Sequence, residues 1–418
     1  MDGADLPKRW TRILPAAFIT YSLAYLDRSN YGFGAAAGMA TELHISQQRS
    51  ALLGAMFFLG YTFLQIPGTA YAAKHSARRL IFIALVAWGT FSALTGVIRN
   101  FWLLAADRLL LGAAESFVFP AMLVLLTRWF TRAERSRATA LLMLGNPVTV
   151  LWMSAVTGFL IRAQGWQTAF VIEGSISVIW AFIWLVTVSD SPQNATWMDA
   201  ASRETLHLEL EREQQALPGI PDLRAAFGFP NVSRLCLQYF FWSLGVYGFV
   251  LWLPVVISKA SGLPIHITGL LVAAPYLFAA IGMVIVAHSS DRAKQRKPYI
   301  WPLLLLSGAA LAASCLMVQH SFVWAYVFML IAGAGMYAPY GPFFAIVPDM
   351  LPRNVAGEVM ALINSCGALG GFAGTYFVGL LQAWTGGPQA GFMLMSLSLV
   401  VSGIILAGMQ PLPREVRS

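Results

Sequence analysis

The sequence predicts an all-α integral membrane protein whose twelve transmembrane helices form two six-helix bundles, and three observations carry that prediction. Of its 418 residues, 58% are hydrophobic and only 11% charged, against roughly 25% charged in an ordinary soluble domain, and the mean hydropathy is +0.65. Charge-free windows recur at the length that crosses a hydrocarbon layer about 30 Å thick, which is about 20 residues. Lys and Arg gather on alternate connections between those windows.

No Asp, Glu, Lys or Arg occurs in Ser50–Ala73, Ala138–Ile161, Leu235–Ser258 or Ala260–Ser290, and Leu80–Ile98 is a slightly shorter example. Each holds one span. The longer runs Pro298–Pro348 and Val359–Pro413 are broken midway near Gln319-His320-Ser321 and Gly386-Gly387-Pro388, so each holds two. With the spans that carry isolated charges, helices are predicted near 13–38, 50–73, 79–98, 102–126, 138–161 and 167–189, then near 234–258, 267–289, 298–318, 322–346, 358–381 and 390–410. The windows are continuously apolar, whereas the strands of a membrane barrel would alternate over about ten residues.

The hydrophilic stretch Asp190–Asn231 divides these spans six and six. The expected organisation is a first bundle over 1–189, a linker over 190–231 and a second bundle over 232–418. The linker's Arg203–Gln215 stretch favours a surface helix that Leu217-Pro218-Gly219-Ile220-Pro221 ends. The net charge of +8 follows topology and needs no nucleic-acid partner. With the N-terminus inside, Lys8, Arg9, Arg12, Lys74, Arg78, Arg79, Arg128 and the linker arginines are cytoplasmic, while the outer side receives only Arg49, Arg99, Arg162 and Lys259. Both termini are then expected in the cytoplasm of a cell whose inner membrane holds the chain. Ala35-Ala36-Ala37-Gly38 could be mistaken for a signal-peptidase site, but Asp27 and Arg28 interrupt the apolar region such a signal needs. Cys236, Cys315 and Cys366 lie within spans, without metal-ligand spacing, and are expected to pack.

Charges inside spans are the informative residues, because an ionised group at a helix centre costs about 2.5–3.5 kcal/mol on insertion scales. Asp27, Arg28, Glu115 and, less deeply, Glu173 are such groups. Asp27 and Arg28 are neighbours and point about 100° apart on a helix, so they can serve different sites. The guanidinium of Arg28 offers a planar fork matched to a carboxylate. A buried acid that alternately meets and loses an arginine neighbour can bind and release a proton, which makes Asp27 and Glu115 the candidate proton carriers. Arg108 is expected to brace its helix, and Glu173 has no obvious partner in sequence. Tyr25, Tyr61, Gln65, Asn146, Trp242, Tyr247, Trp252 and Asn364 add rings and polar tips that would suit a hydroxylated anion. Gly367, Gly371 and the offset pair Gly370 and Gly374 allow either static close packing or a moving seam.

Scattered histidines give no metal-ligand or Ser-His-Asp geometry, and no metal or cofactor is expected. Gly333-Ala334-Gly335 follows an apolar helix, not a strand, so it is no nucleotide fingerprint. An enzyme or a sensor would need a reactive cluster or a signalling domain, and neither is visible.

These residues carry a resemblance to a known family. Tyr25-Leu26-Asp27-Arg28-Ser29-Asn30, Phe57-Phe58-Leu59-Gly60-Tyr61, Gln65-Ile66-Pro67-Gly68, the run Arg108, Gly112, Glu115, Pro120, then Tyr247-Gly248, Trp252-Leu253-Pro254 and Ser290-Asp291-Arg292 occur in order along the chain. In them the chain resembles the major facilitator superfamily and, within it, the anion:cation symporters that include bacterial sugar-acid permeases. The resemblance implies the two-bundle major facilitator fold and a monomeric, proton-coupled importer of a small organic anion such as a sugar acid. It places Arg28, Tyr25, Tyr61, Asn146 and Asn364 at the substrate, Asp27 and Glu115 at the proton, and Lys74, Arg78, Asp291 and Arg292 at the gate. Relatives often carry glutamine where Asn146 stands. In loop 2–3 the usual acid is replaced by Ala73 and a usual glycine by Ser76, which unsettles the gate but not the fold. An aromatic-carboxylate permease or a drug-efflux carrier of the same fold is the alternative.

Overall fold

The computed structural model describes residues 8–215, 231–293, 295–350 and 353–409. The linker end at Leu217–Pro221, Arg224, Lys294 and the C-terminal Arg414 and Arg417 lie outside the described residues. Among the described residues the chain is helical throughout, with no strand.

The first half comprises α1 (Lys8–Ala36), the short α2 (Met39–Glu42), α3 (Gln47–Phe63), α4 (Gln65–Lys74), α5 (Ala77–Thr95), α6 (Phe101–Glu115), α7 (Val118–Trp129), α8 (Arg132–Met143) and α9 (Gly145–Thr187). The linker contributes α10 (Ala200–Gln215). The second half comprises α11 (Val232–Ser261), α12 (Ile265–Ala293), α13 (Trp301–Met317), α14 (Phe322–Tyr337), α15 (Tyr340–Met350), α16 (Arg353–Thr385) and α17 (Gln389–Ala407).

Among the described residues nine helical stretches are long and apolar enough to cross a membrane, and the α3–α4 pair, bent by 44° at Leu64, makes a tenth. Helix α1 is not among them because Asp27, Arg28 and Asn30 lower its hydropathy; its 29 residues still reach roughly 44 Å. One of the nine, Leu141–Thr187, is 47 residues long and holds both the fifth and sixth predicted spans. Gly165, at φ 84° and ψ 165°, folds α9 back on itself there, a left-handed conformation that glycine adopts without the Cβ penalty. The expected twelve spans are thus accommodated once α1 is included and α9 is divided at its kink.

Local chemistry sets the helix starts. Ser46 accepts from the Arg49 N–H at 3.2 Å, Ser76 from the Arg79 N–H at 3.0 Å, and Asn100 from the N–H groups of Trp102 and Leu103 at 3.0 and 3.1 Å, each satisfying donors that a helix start leaves open. Apolar side chains such as Val186, Trp102, Phe63, Val323 and Trp384 are exposed on the outer wall, as expected where the solvent is lipid. Helix α11 is buried from Trp242 to Ile257, with Tyr247 half-buried among them.

The halves are joined by α1 with α11 and α12, by α3 and α4 with α16, and by α9 with α12. A Cβ on Gly32 would lie 2.4 Å from the Leu251 carbonyl oxygen, and one on Gly269 would lie 2.5 Å from that of Ser154. Gln47 donates to Gln382 at 3.2 Å, and Arg162 meets His266 at 2.9 Å, at the end of the bundle that carries the α2–α3 and α11–α12 connections. The glycines of α16 divide between two roles. Gly370 and Gly374 press on the backbone of α11 within the second half, at Phe240 and Leu244, whereas Gly371 faces Phe58 of the first half. One set is static packing and the other lies on the seam between halves.

Candidate functional site

The site is built where α1 crosses the middle of the bundle. Residues Tyr25 to Gly34 are all buried, and the two adjacent charges go separate ways. Asp27 turns into the first half, where one carboxylate oxygen accepts from Ser92 Oγ of α5 at 2.5 Å and the other has no hydrogen-bond partner. Arg28 turns toward the boundary between the halves.

Arg28 carries the densest contacts. Its Nε donates to Glu115 Oε1 at 2.6 Å, and Nη2 meets the same oxygen at 2.5 Å. Nη2 also donates to the Tyr61 hydroxyl at 2.8 Å, and Nη1 reaches the Tyr247 hydroxyl of the second half at 3.4 Å. Its guanidinium carbon stands 4.4 Å above the Tyr61 ring and 5.5 Å from that of Tyr25, a cation–π arrangement that a dry site strengthens. Glu115 is the last residue of α6, immediately before the break that starts α7. Its second oxygen is buried and unpartnered. Both Arg28 and Glu115 are almost completely enclosed, with side-chain exposures of 5% and 0%.

Tyr25 extends the cluster across the boundary, its hydroxyl 3.0 Å from that of Tyr337. Tyr337 ends α14, with Ala338 and Pro339 between it and the start of α15, and its ring lies 5.5 Å from Tyr276 and 5.6 Å from Tyr340. These three second-half tyrosines and Ser92 escaped sequence reasoning. The available signal was the pair of tyrosines flanking Ala338-Pro339 in a span that proline interrupts.

The other expected residues are distributed around this centre. Asn364 of α16 donates to Gln65 at 2.8 Å, and Gln65 donates to the Tyr61 carbonyl at 3.2 Å, so a polar chain links α16 to the Arg28 neighbourhood. Asn146 is buried beside Tyr21, with its carbonyl oxygen unpartnered. Trp242 and Trp252 spend their indole N–H groups on the carbonyls of Met336 and Thr375 at 2.9 and 3.1 Å, which makes them packing anchors. Glu173, left without a partner in the sequence, accepts from Asn30 and from Thr157 Oγ1, the latter at 2.9 Å. Arg108 stacks against the rings of Tyr31 and Phe57 at 5.1 and 5.4 Å.

Of the residues expected at the gate, Lys74 and Arg292 are exposed and the side chain of Asp291 lies outside the described residues. Arg78 donates to the Leu185 carbonyl. The carboxylate missing from loop 2–3 arrives from elsewhere: Asp190, the first residue of the linker, accepts from Ser76 Oγ at 2.5 Å and from the Arg78 N–H at 2.9 Å, and stands 3.5 Å from Arg128.

The arrangement pairs a buried guanidinium with a carboxylate and rings it with phenols from both halves. Among the described residues no cluster of His, Cys, Asp and Glu could hold a metal ion. The chemistry on offer is anion recognition and proton binding.

Comparison with known proteins gives the family. A "Putative tartrate transporter" of Agrobacterium vitis is 30% identical over all of this chain and 94% of its own length. A quinolone resistance transporter of Acinetobacter baumannii is 29% identical over 94% of this chain and 92% of its own. The crystal structure of a D-xylose–proton symporter superposes with a TM-score of 0.76 at 15% identity, covering 96% of this chain and 98% of that one, a likeness of fold. The Major Facilitator Superfamily profile matches residues 17–375: the chain belongs to that superfamily and is a multi-pass membrane transporter, not an enzyme.

Proposed function

We propose that the chain is a proton-coupled symporter that imports a small organic anion, a sugar acid being the class its centre fits best. The carrying observation is the buried ion pair of Arg28 with Glu115, which Tyr247 touches from the other half. Removing one partner of a buried pair is costly, about 3–5 kcal/mol. A substrate carboxylate can therefore claim Arg28 only when Glu115 is neutralised by a proton. Proton and anion then enter the same occupied state, and each favours the other. The phenols of Tyr25 and Tyr61, with the amides of Asn146 and Asn364, would hold the hydroxyls of the cargo, and Asp27 would carry a second proton.

Movement follows from the paired architecture. The first bundle (1–189) and the second (232–418) rock about the central site, so that it opens to one side of the bacterial inner membrane and then the other, with both termini cytoplasmic and the monomer as the working unit.

The test is uptake into proteoliposomes holding the purified protein, with radiolabelled tartrate, gluconate and phthalate as probes. An inward proton gradient should drive accumulation of one of them, and Arg28→Ala should abolish it. Uptake indifferent to the gradient sinks the coupling. Phthalate as the preferred cargo would favour the aromatic-carboxylate reading, which the rings of Tyr25, Phe57 and Tyr61 around Arg28 also support.

A further inference from the structure

We propose that Glu173 is a further proton-binding carboxyl of the transport cycle, joined to Asp27 along one face of α1 and to the seam between the halves through Thr157. The proposal rests on the proton-coupled reading above and deepens it.

Glu173 lies in the second arm of α9 and is 3% exposed. Its partners are both neutral: Asn30 donates to one oxygen and Thr157 to the other. Neither membrane-buried arginine reaches it, since Arg28 is committed to Glu115 and Arg108 stacks on Tyr31 and Phe57. An ionised carboxylate without a cation inside a membrane is costly, and a bound proton removes that cost.

The groups facing Glu173 make this proton useful. From α1 come Asn30 and, three residues earlier on the same face, Asp27, whose second oxygen is unpartnered. From the first arm of α9 comes Thr157, which also contacts Asn30 at 3.4 Å. From α5 comes the backbone around Gly89 and Ala93, which packs on Gly174. Asp27 is therefore the one titratable group among these neighbours. Two acids so placed disfavour simultaneous ionisation and titrate as a pair.

A proton on Glu173 turns one carboxyl oxygen into a donor while the other goes on accepting, so one of its two partners must reverse: the Asn30 amide presents its oxygen, or the Thr157 hydroxyl accepts. Thr157, which contacts both Glu173 and Asn30, is touched by either change. The next residue, Gly158, abuts Ile265 and His266 of the second half, so a shift there is transmitted to the α9–α12 contact.

Infrared pH titration of the purified full-length protein tests the proposal without any substrate. The parent should show a protonated-carboxyl C=O band that titrates and is lost in Glu173→Gln, while the midpoint of the Asp27 band, identified with Asp27→Asn, moves. Thr157→Val, which keeps the carboxyl, should shift the Glu173 band. The proposal is overturned if Glu173→Gln leaves the titrating bands unchanged, or if the Glu173 band is constant across the pH range in which the protein stays folded. Failure of gradient-driven uptake in the parent would sink the transport reading while leaving this titration standing.

Discussion

Gly269→Ala should push the transporter out of the conformation described here without loosening either half. The Cβ it adds would sit 2.5 Å from the Ser154 carbonyl oxygen. Ordinary van der Waals contact begins at 3.4 Å, so the two helices must give way by 0.9 Å (3.4 minus 2.5). The obstacle is backbone on a packed helix, with no flexible side chain to swing aside. Overpacking of this kind costs about 1–3 kcal/mol. Because α9 and α12 belong to different halves, the cost falls only on states in which they touch, and it translates into a shift of about 5–150-fold toward states in which they part. The intrinsic helix gain of Ala over Gly, about 1 kcal/mol, is common to every state and cancels.

Gly60→Ala is the control. Its Cβ would lie 1.9 Å from the Leu109 carbonyl oxygen, but α3 and α6 sit in the same half, so every state is penalised alike. The assay is the distribution of distances between spin labels at Gln164 and Leu263, exposed on the two sides of the seam, in protein whose Cys236, Cys315 and Cys366 have been replaced. Gly269→Ala should add a longer-distance population, whereas Gly60→Ala should lower the melting temperature and leave the distances alone. The reverse pattern would refute the idea that α9 and α12 form a moving seam.

Two further predictions follow from the buried charges. Arg28→Met leaves Glu115 enclosed without its cation and should lower thermal stability by about 3–5 kcal/mol, with Arg28→Met/Glu115→Gln recovering part of that loss; strictly additive effects in the double-mutant cycle would mean the pair does not interact. Asp190→Ala removes the acceptor that holds Ser76 and the Arg78 N–H, and should cost about 0.5–2 kcal/mol in thermal denaturation, the range of a lost helix cap; an unchanged melting temperature would show that the contact carries no stability.

What was legible in the sequence was whatever depends on neighbours along the chain. Charge-free length marks a span, and adjacency on a 3.6-residue helix already separates Asp27 from Arg28. The structure has them doing so, toward Ser92 and toward Glu115. Partners were not legible, because periodicity tells which face a residue occupies but not which helix lies opposite. Ser92 is 65 residues from Asp27, and Tyr337 is 312 from Tyr25. Glu173 seemed solitary for the same reason, although Asn30 and Thr157 close on it from two other segments.

The same blindness explains loop 2–3. Read along the chain, Ala73 leaves the usual acidic position empty, and the consequence drawn is an unsettled gate. In three dimensions, a carboxylate is needed near the start of α5, where Ser76 and the Arg78 N–H donate and Arg128 supplies positive charge. Asp190 meets that need from 112 residues beyond Arg78. Asp190, the first linker residue, meets only first-half partners here, so this contact ties the linker's start to one body and does not by itself latch the two halves together. The balance between conformations therefore rests on contacts that cross the boundary, such as Gly269 on Ser154 and Tyr25 on Tyr337.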